Sequence, residues 1–418
     1  MTSDSARQFG QVAHELACGP DRTVGVGFIS GTGRIASCDL GEADGCRLAA
    51  MARDAISADG PRYTAPMRLG PVLATIALVG CGRYGFDDLA GGDGRSADGS
   101  VPDDGAGDGA FADGPQARSC DGLPSTCGPG GTGSCCESPI VVGGVYFRSY
   151  DGTALYADTS AAATVSDFRL DRYEVTVARF RAFAAAGRAT LANPPLAGAG
   201  AHPNIPGSGW DATWNASLVV DSAALGQALQ CGGSFATWTT TPGANESRPI
   251  NCVSSYETMA FCAWDGGFLP TEAEWNYAAS GGSEQRAYPW SNPPTSVLID
   301  ESFASYSVMG FTDCRGDGIS GCAPTDILVP GSKPAGDGRW GQSDLAGNVH
   351  EWTLDFAAPG GTYPVPCVDC ARLVPNINKM VRGGAYQAPF DYVRLAARFL
   401  FPPNARNPYV GFRCARSP

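Results

Sequence analysis

The pattern of apolar positions predicts a mixed set of short elements. Val141–Phe147 is apolar around Gly143-Gly144, which predicts a strand with a glycine turn or bulge. Phe168–Thr176 alternates and predicts a second strand. Thr176 is placed to cap a short helix through Phe180 and Phe183, stopped by Gly187. Ser254 and Glu257 have capping-box spacing ahead of a helix that runs to about Trp264 and stops at Gly266-Gly267. Tyr256, Ala260, Ala263 and Trp264 are spaced to share one face of it. Thr271 and Glu274, after Pro270, open another helix that ends at Gly281-Gly282. From Tyr288 to Cys414 the chain reads as loop and short strand, dense in Trp, Tyr, Gly and Pro. Helices and strands mix without a βαβ rhythm and without an internal repeat, so the expected class is α+β.

Upstream the character differs. Met67–Cys81 has a basic start, an apolar run from Leu69 to Val79, and the ending Leu78-Val79-Gly80-Cys81. The run is far below the ~20 residues of a membrane-spanning helix. It resembles a bacterial lipoprotein signal whose Cys81 receives a lipid. Residues 82–119 carry eight Asp against three Arg and few large apolar side chains, the composition of a disordered tether. The organisation expected is a non-mature or mis-assigned extension over 1–66, the signal over 67–81, the tether over 82–119, a small Cys-rich segment over 120–139, and a globular domain over 140–418. The start codon is then expected at Met67 or Met51.

Charge and cysteines narrow the function. The net charge is −13 with only 29 Lys and Arg, so no basic footprint for nucleic acid exists. Sixteen cysteines fit an oxidising compartment. Three lie in the extension and one is Cys81, which leaves an even twelve. Cys120, Cys127, Cys135 and Cys136 lack CxxC spacing, so a disulfide knot is expected over a zinc site. The neighbours Cys135 and Cys136 should take different partners. Cys231 with Cys252, and Cys314 with Cys322, are expected as local bridges. Cys367 and Cys370 form a CxxC in a Pro-rich loop, read as a structural closure, with a redox pair or soft-metal site as the alternative.

Five phrases then carry a resemblance: LPTEAEW (Leu269–Trp275), YPW (Tyr288–Trp290), DLAGNVHEW (Asp344–Trp352), RGGAY (Arg382–Tyr386) and GFRC (Gly411–Cys414). In this order the chain resembles the formylglycine-generating enzyme, or sulfatase-modifying factor, family over roughly Val141–Ser417. The resemblance implies a loop-rich C-type lectin-like fold. It implies a disulfide between Cys262 and Cys414, with the family's second bridge absent because Ala279 and Leu395 stand in its place. It implies structural calcium held by Asp344, the carbonyls of Gly347 and Val349, and Glu351. A second calcium would use Asp317 and the carbonyl of Ile319, with its remaining ligands near Phe303–Ser305. For either site the alternative is a tight turn whose carboxylates cap N–H groups.

The resemblance also exposes a gap. The family oxidises a substrate cysteine with two thiolates that hold Cu(I). Here those positions read Ala388 and Val393, so copper is not expected. The histidines beyond Cys81, His202 and His350, fall short of the three or so an iron site would need, and His350 reads as a packed or surface imidazole. Arg382, Arg394, Arg398, Arg413 and Arg416 are candidates for an anion- or peptide-binding groove, or else pair with the acidic surplus. The expected function is a non-oxidising binding or scaffold module on an exported lipoprotein. Lipid on Cys81 would hold it at the bacterial cell envelope, on a periplasmic or outer-membrane face, with a peptide, glycan or protein as ligand. The alternatives are an enzyme of the family using other residues, such as Cys367 and Cys370, and a purely structural envelope protein.

Overall fold

The computed structural model describes residues 117–418. The extension, the signal with Cys81, and the tether up to residue 116 lie outside the described residues. Among the described residues no helix is long and apolar enough to cross a membrane.

Thirteen regular elements are spread through long loops. Chain order is β1 (Ile140–Val141), β2 (Gly144–Phe147), β3 (Ala162–Val165), β4 (Phe168–Leu170), α1 (Val177–Ala185), α2 (Ser222–Ala228), α3 (Ser255–Trp264) and α4 (Glu272–Ala279). There follow β5 (His350–Phe356), β6 (Lys379–Arg382), β7 (Phe399–Phe401), β8 (Val410–Gly411) and β9 (Ala415–Arg416). One sheet runs β7-β6-β5-β8, a second β1-β4-β9, and β2 pairs with β3. The β5–β8 pair is parallel, with His350 opposite Val410. Every residue of β5 is buried, as befits a strand between two neighbours.

The capping boxes are formed. The Ser254 hydroxyl accepts from the Glu257 N–H, and the Glu257 carboxylate accepts from the Ser254 N–H at 3.0 Å. Thr271 and Glu274 repeat the arrangement at 2.9 and 2.8 Å. Each box satisfies two of the donors that a helix start leaves open. Thr176 caps α1 through the Arg179 N–H.

Two strand expectations are corrected. Val141–Phe147 is not one strand: it breaks after Val141, and β1 and β2 join different sheets. The break has a steric cause. At Gly143 the Val165 carbonyl approaches so closely that a Cβ would lie 2.2 Å from its oxygen. The strand expected over Phe168–Thr176 stops at Leu170. Beyond it Asp171 turns inward, and its carboxylate receives Arg179 and Arg416.

The main core lies between α1, α3 and the β5 sheet. Phe261 stacks on Phe180 at 5.7 Å and meets Phe183 and Phe412 edge-on at 5.4 and 5.3 Å. Each fully buried ring of this kind stabilises the fold by roughly 2–3 kcal/mol. Beside it sits a buried quartet. Arg179 bonds Asp171 at 2.9 Å and Asp265 at 2.7 Å, and Arg416 bonds the same two carboxylates. The pairs alternate in sign, which offsets the desolvation of all four charges.

The Cys-rich segment packs onto this body. The Ser119 N–H donates to Asp265 at 2.7 Å, and Arg179 donates to the Ser119 hydroxyl and the Cys135 carbonyl. Residues 117–119, read from composition as the end of the tether, are therefore ordered, and Ser119 is buried. A single partnered hydroxyl and N–H fix a stretch that composition alone marks as unstructured.

Candidate functional site

All twelve cysteines of the described residues are bridged. The pairs are Cys120–Cys136, Cys127–Cys135, Cys231–Cys252, Cys262–Cys414, Cys314–Cys322 and Cys367–Cys370. Cys135 and Cys136 take different partners, and the CxxC is a closed bridge. Cys262–Cys414 ties α3 to the loop that leads into β9.

The five phrases converge on two buried charge centres and one apolar pocket of side chains. At the first centre the Glu351 carboxylate accepts from Arg413 Nε and Nη2 at 2.8 and 2.7 Å, and from Trp275 Nε1 at 2.8 Å. Arg413 spends its other hydrogens on the carbonyls of Asp171, Arg172 and Ser343. At the second, the Glu272 carboxylate holds Arg382 Nε at 2.9 Å and grips Arg398 through two bonds of 2.7 Å. Burial disfavours the charged form of Glu272, yet the two guanidiniums outweigh it and hold its carboxyl below the usual value. Beside these centres Trp275, Tyr288, Leu345, Ala388, Val393 and Leu395 form one buried apolar cluster. Tyr288 lies flat on Trp290 at 4.9 Å, and Trp290 on Phe303 at 5.0 Å.

The arginines expected to line a groove divide. Arg382 and Arg413 are fully buried, and Arg394 and Arg416 nearly so, each in an ion pair. They follow the pairing alternative, because each finds a carboxylate from a distant segment. Arg416 borders open space beside His202 and Phe268, and so, elsewhere, does Arg398. With Arg148, Tyr156, Tyr363, Leu155 and Val365 it lines a cavity of about 780 Å³. Tyr363 is sandwiched there, with Arg398 at 3.8 Å and Arg148 at 4.4 Å from its ring.

The histidines are structural in position. His202 Nε2 meets a Glu274 oxygen at 2.9 Å, and His202 Nδ1 accepts from the Asn204 N–H, which fixes the tautomer. His350 lies among Phe399, Tyr409 and Phe401, where burial pushes its pKa down to about 4.

A family model, the sulfatase-modifying factor enzyme 1-like domain, matches residues 134–418. The chain belongs to this family. A formylglycine-generating enzyme of Streptomyces coelicolor is 32% identical over 258 residues, 59% of this chain and 77% of its own length. The enzyme of that name from Thermomonospora curvata is 27% identical over 275 residues, 61% of this chain and 83% of its own. An inactive C-alpha-formylglycine-generating enzyme 2 of Mus musculus is 30% identical over 177 residues, 40% of this chain and 49% of its own. The solved structure of PvdO from Pseudomonas aeruginosa aligns with 71% of this chain and 99% of its own, at 21% identity and a TM-score of 0.46. The α+β, loop-rich architecture described above is the fold expected of the family.

Ala388 and Val393, the residues expected at the family's thiol positions, are core residues, 2% and 0% exposed. The Ala388 carbonyl accepts from the Ser307 N–H at 2.9 Å, which pins the backbone there. The expected calcium phrase is brought into one tight turn. Gly347 has φ +90°, and a Cβ there would stand 2.2 Å from the Ser305 carbonyl oxygen. Asp344 accepts from the Gly331 N–H at 2.6 Å, and Glu174 accepts from the Asn348 side chain and the Val349 N–H. Of the buried carboxylates Glu174, Asp344 and Glu351, only Glu351 bonds Arg413, whose charge acts on all three. Burial first, and then Asp344 and Glu351, push Glu174 well above the usual carboxylate range; burial lifts Asp344 to about 6. This excess of negative charge fits a cation. Among the described residues no three His, Cys, Asp or Glu side chains gather as a metal cage. An ion at Asp344 would therefore draw chiefly on the carbonyls of Gly347 and Val349, with carboxylate oxygen from Asp344 and Glu351. At the second position the fit is poor. The Asp317 carboxylate closes its own turn on the Ile319 N–H at 2.8 Å and on the Thr325 hydroxyl, and Ile319 is 68% exposed. The buried acid of that loop is Asp326, which sequence reading missed.

Proposed function

We propose that this chain is a non-oxidising member of its family, a binding module carried on an exported lipoprotein. The observation that supports it is the chemistry at Ala388 and Val393. Both are packed apolar side chains, and all other cysteines of the described residues are bridged. Among the described residues no free thiolate is at hand to hold Cu(I). The Cys367–Cys370 pair is closed as a bridge, in keeping with its reading as a structural closure. The test is an assay of the full chain with a cysteine-containing sulfatase peptide and added Cu(I). The expected result is unchanged peptide, and conversion of its cysteine to the aldehyde overturns the reading.

A calcium ion held at Asp344, Gly347, Val349 and Glu351 belongs to the same reading, as a counter-charge that locks the turn. Elemental analysis should find calcium, and a chelator should lower the melting temperature. No metal and an unchanged melting temperature sink this part. The envelope location rests on Leu78–Cys81. Mass spectrometry of membrane-derived protein should find lipidated Cys81 at the mature N-terminus.

A further inference from the structure

We infer that the cavity beside Arg148 is a binding site for a small organic carboxylate with an apolar or aromatic body. Arg148 is 3% exposed, and among the described residues no carboxylate lies within 4.0 Å of it. Its hydrogens reach only neutral acceptors: the carbonyls of Ala161, Ala162 and Pro364, and the Cys370 sulfur. A buried guanidinium in this state is costly unless an anion completes it. The wider charge balance points the same way. Arg148, Arg382, Arg398 and Lys379 face Glu272 and Asp355, an excess of two positive charges in a chain of net charge −13. Glu272 and Asp355 lie behind the wall; the one carboxylate on the lining itself, Asp158, is exposed and holds the Ser160 N–H and hydroxyl.

The shape of the wall selects the ligand. Arg398 is spent on Glu272 and the Gly361 carbonyl, which leaves Arg148 as the one uncompensated cation of the lining. The Pro364 carbonyl already accepts from Arg148 Nη2 and the Gly361 carbonyl from Arg398, so the lining offers an anion one partly satisfied guanidinium, which suits a single carboxylate head better than a dianion such as phosphate. Leu155, Ala157, Ala161, Val365 and Tyr156, the last backed by Arg394 at 5.1 Å, supply the apolar part of the wall, with Ser149, Ser160 and Thr362 between them. This lining suits an apolar or aromatic body. The space, about 780 Å³, is of the size that small-ligand sites have.

This inference gives a ligand class to the binding role proposed above. The thiol-oxidation assay tests that role separately, so either can fail alone. The probe is 2-naphthoate, titrated by fluorescence against the full chain, with 2-naphthamide and inorganic phosphate as comparisons. Saturable binding below about 1 mM is expected, at least tenfold weaker for the amide, and weaker still as salt rises. Arg148→Gln should abolish the preference for the acid. Leu155→Glu sets a negative charge at an exposed rim position without touching the core, and should weaken naphthoate about tenfold with an unchanged melting temperature. The proposal is overturned if naphthoate fails to bind, if acid and amide bind alike, if phosphate displaces naphthoate at equal concentration, or if Leu155→Glu has no effect.

Discussion

Replacing Glu272 with glutamine removes the one negative charge shared by Arg382 and Arg398. Arg382 is fully buried, and its other hydrogens go to the carbonyls of Leu395 and Ala397, the Ser149 hydroxyl and Tyr363. Nothing in that set replaces a carboxylate. Breaking a buried pair from one side costs about 3–5 kcal/mol, because the remaining charge stays desolvated. For a folded body of about 300 residues this lowers the melting temperature by roughly 5–8 °C. Denaturant titration at pH 7 measures the free energy, and the slope should not change. The pH profile gives a second reading. Glu272 has a folded pKa below its unfolded value, so its contribution is present above pH 4.5 and is lost as pH falls through the folded value. The gap between wild type and Glu272→Gln should therefore close on acidification. A loss under about 1 kcal/mol at pH 7, or a gap that persists into strong acid, refutes the reasoning.

Three further outcomes follow from other parts of the fold. Cys262→Ser with Cys414→Ser opens a loop of 152 residues and should cost roughly 5 kcal/mol in the chain-entropy model, measured by thermal melting against wild type. Burial holds the Lys379 ammonium down to about 8, while it donates to the Leu354 carbonyl. A depressed base contributes stability above its unfolded pKa and loses it as pH falls through the folded one. Lys379→Met should thus gain on the order of 2 kcal/mol at pH 7, and the gain should shrink as pH rises past 8. Ala388→Cys adds a sulfur to a packed cluster; destabilisation of about 1–3 kcal/mol is expected by melting, and no loss would mean that the cluster is loose.

What could be read from sequence was local. A capping box needs only residues three apart, so α3 and α4 start where Ser254 and Thr271 place them. The short-range bridges, and the pairing of Cys135 and Cys136 with different partners, likewise follow from spacing and strain. What could not be read depends on partners far along the chain. For Arg382 and Arg413 a groove role and pairing with the acidic surplus both stay open in the sequence, because nothing nearby announces Glu272 or Glu351. Arg148 and Tyr363 are meaningless apart and form a wall together. The strand expected beyond Leu170 fails because Asp171 serves two arginines, one of them Arg416. The helix α2 was legible and missed: Asp221 caps the Ala224 N–H, a signal present in the sequence.

The sheet β1-β4-β9 sets a timetable. Its central strand, β4, is made early, but one of its two neighbours, β9, is the last strand of the chain, and Arg416 also completes the quartet around Asp171. A growing chain therefore cannot complete this sheet until nearly every residue exists. Such a fold is slow to commit and stays unlocked during synthesis. The same holds for the Cys262–Cys414 bridge, which cannot close before residue 414 exists.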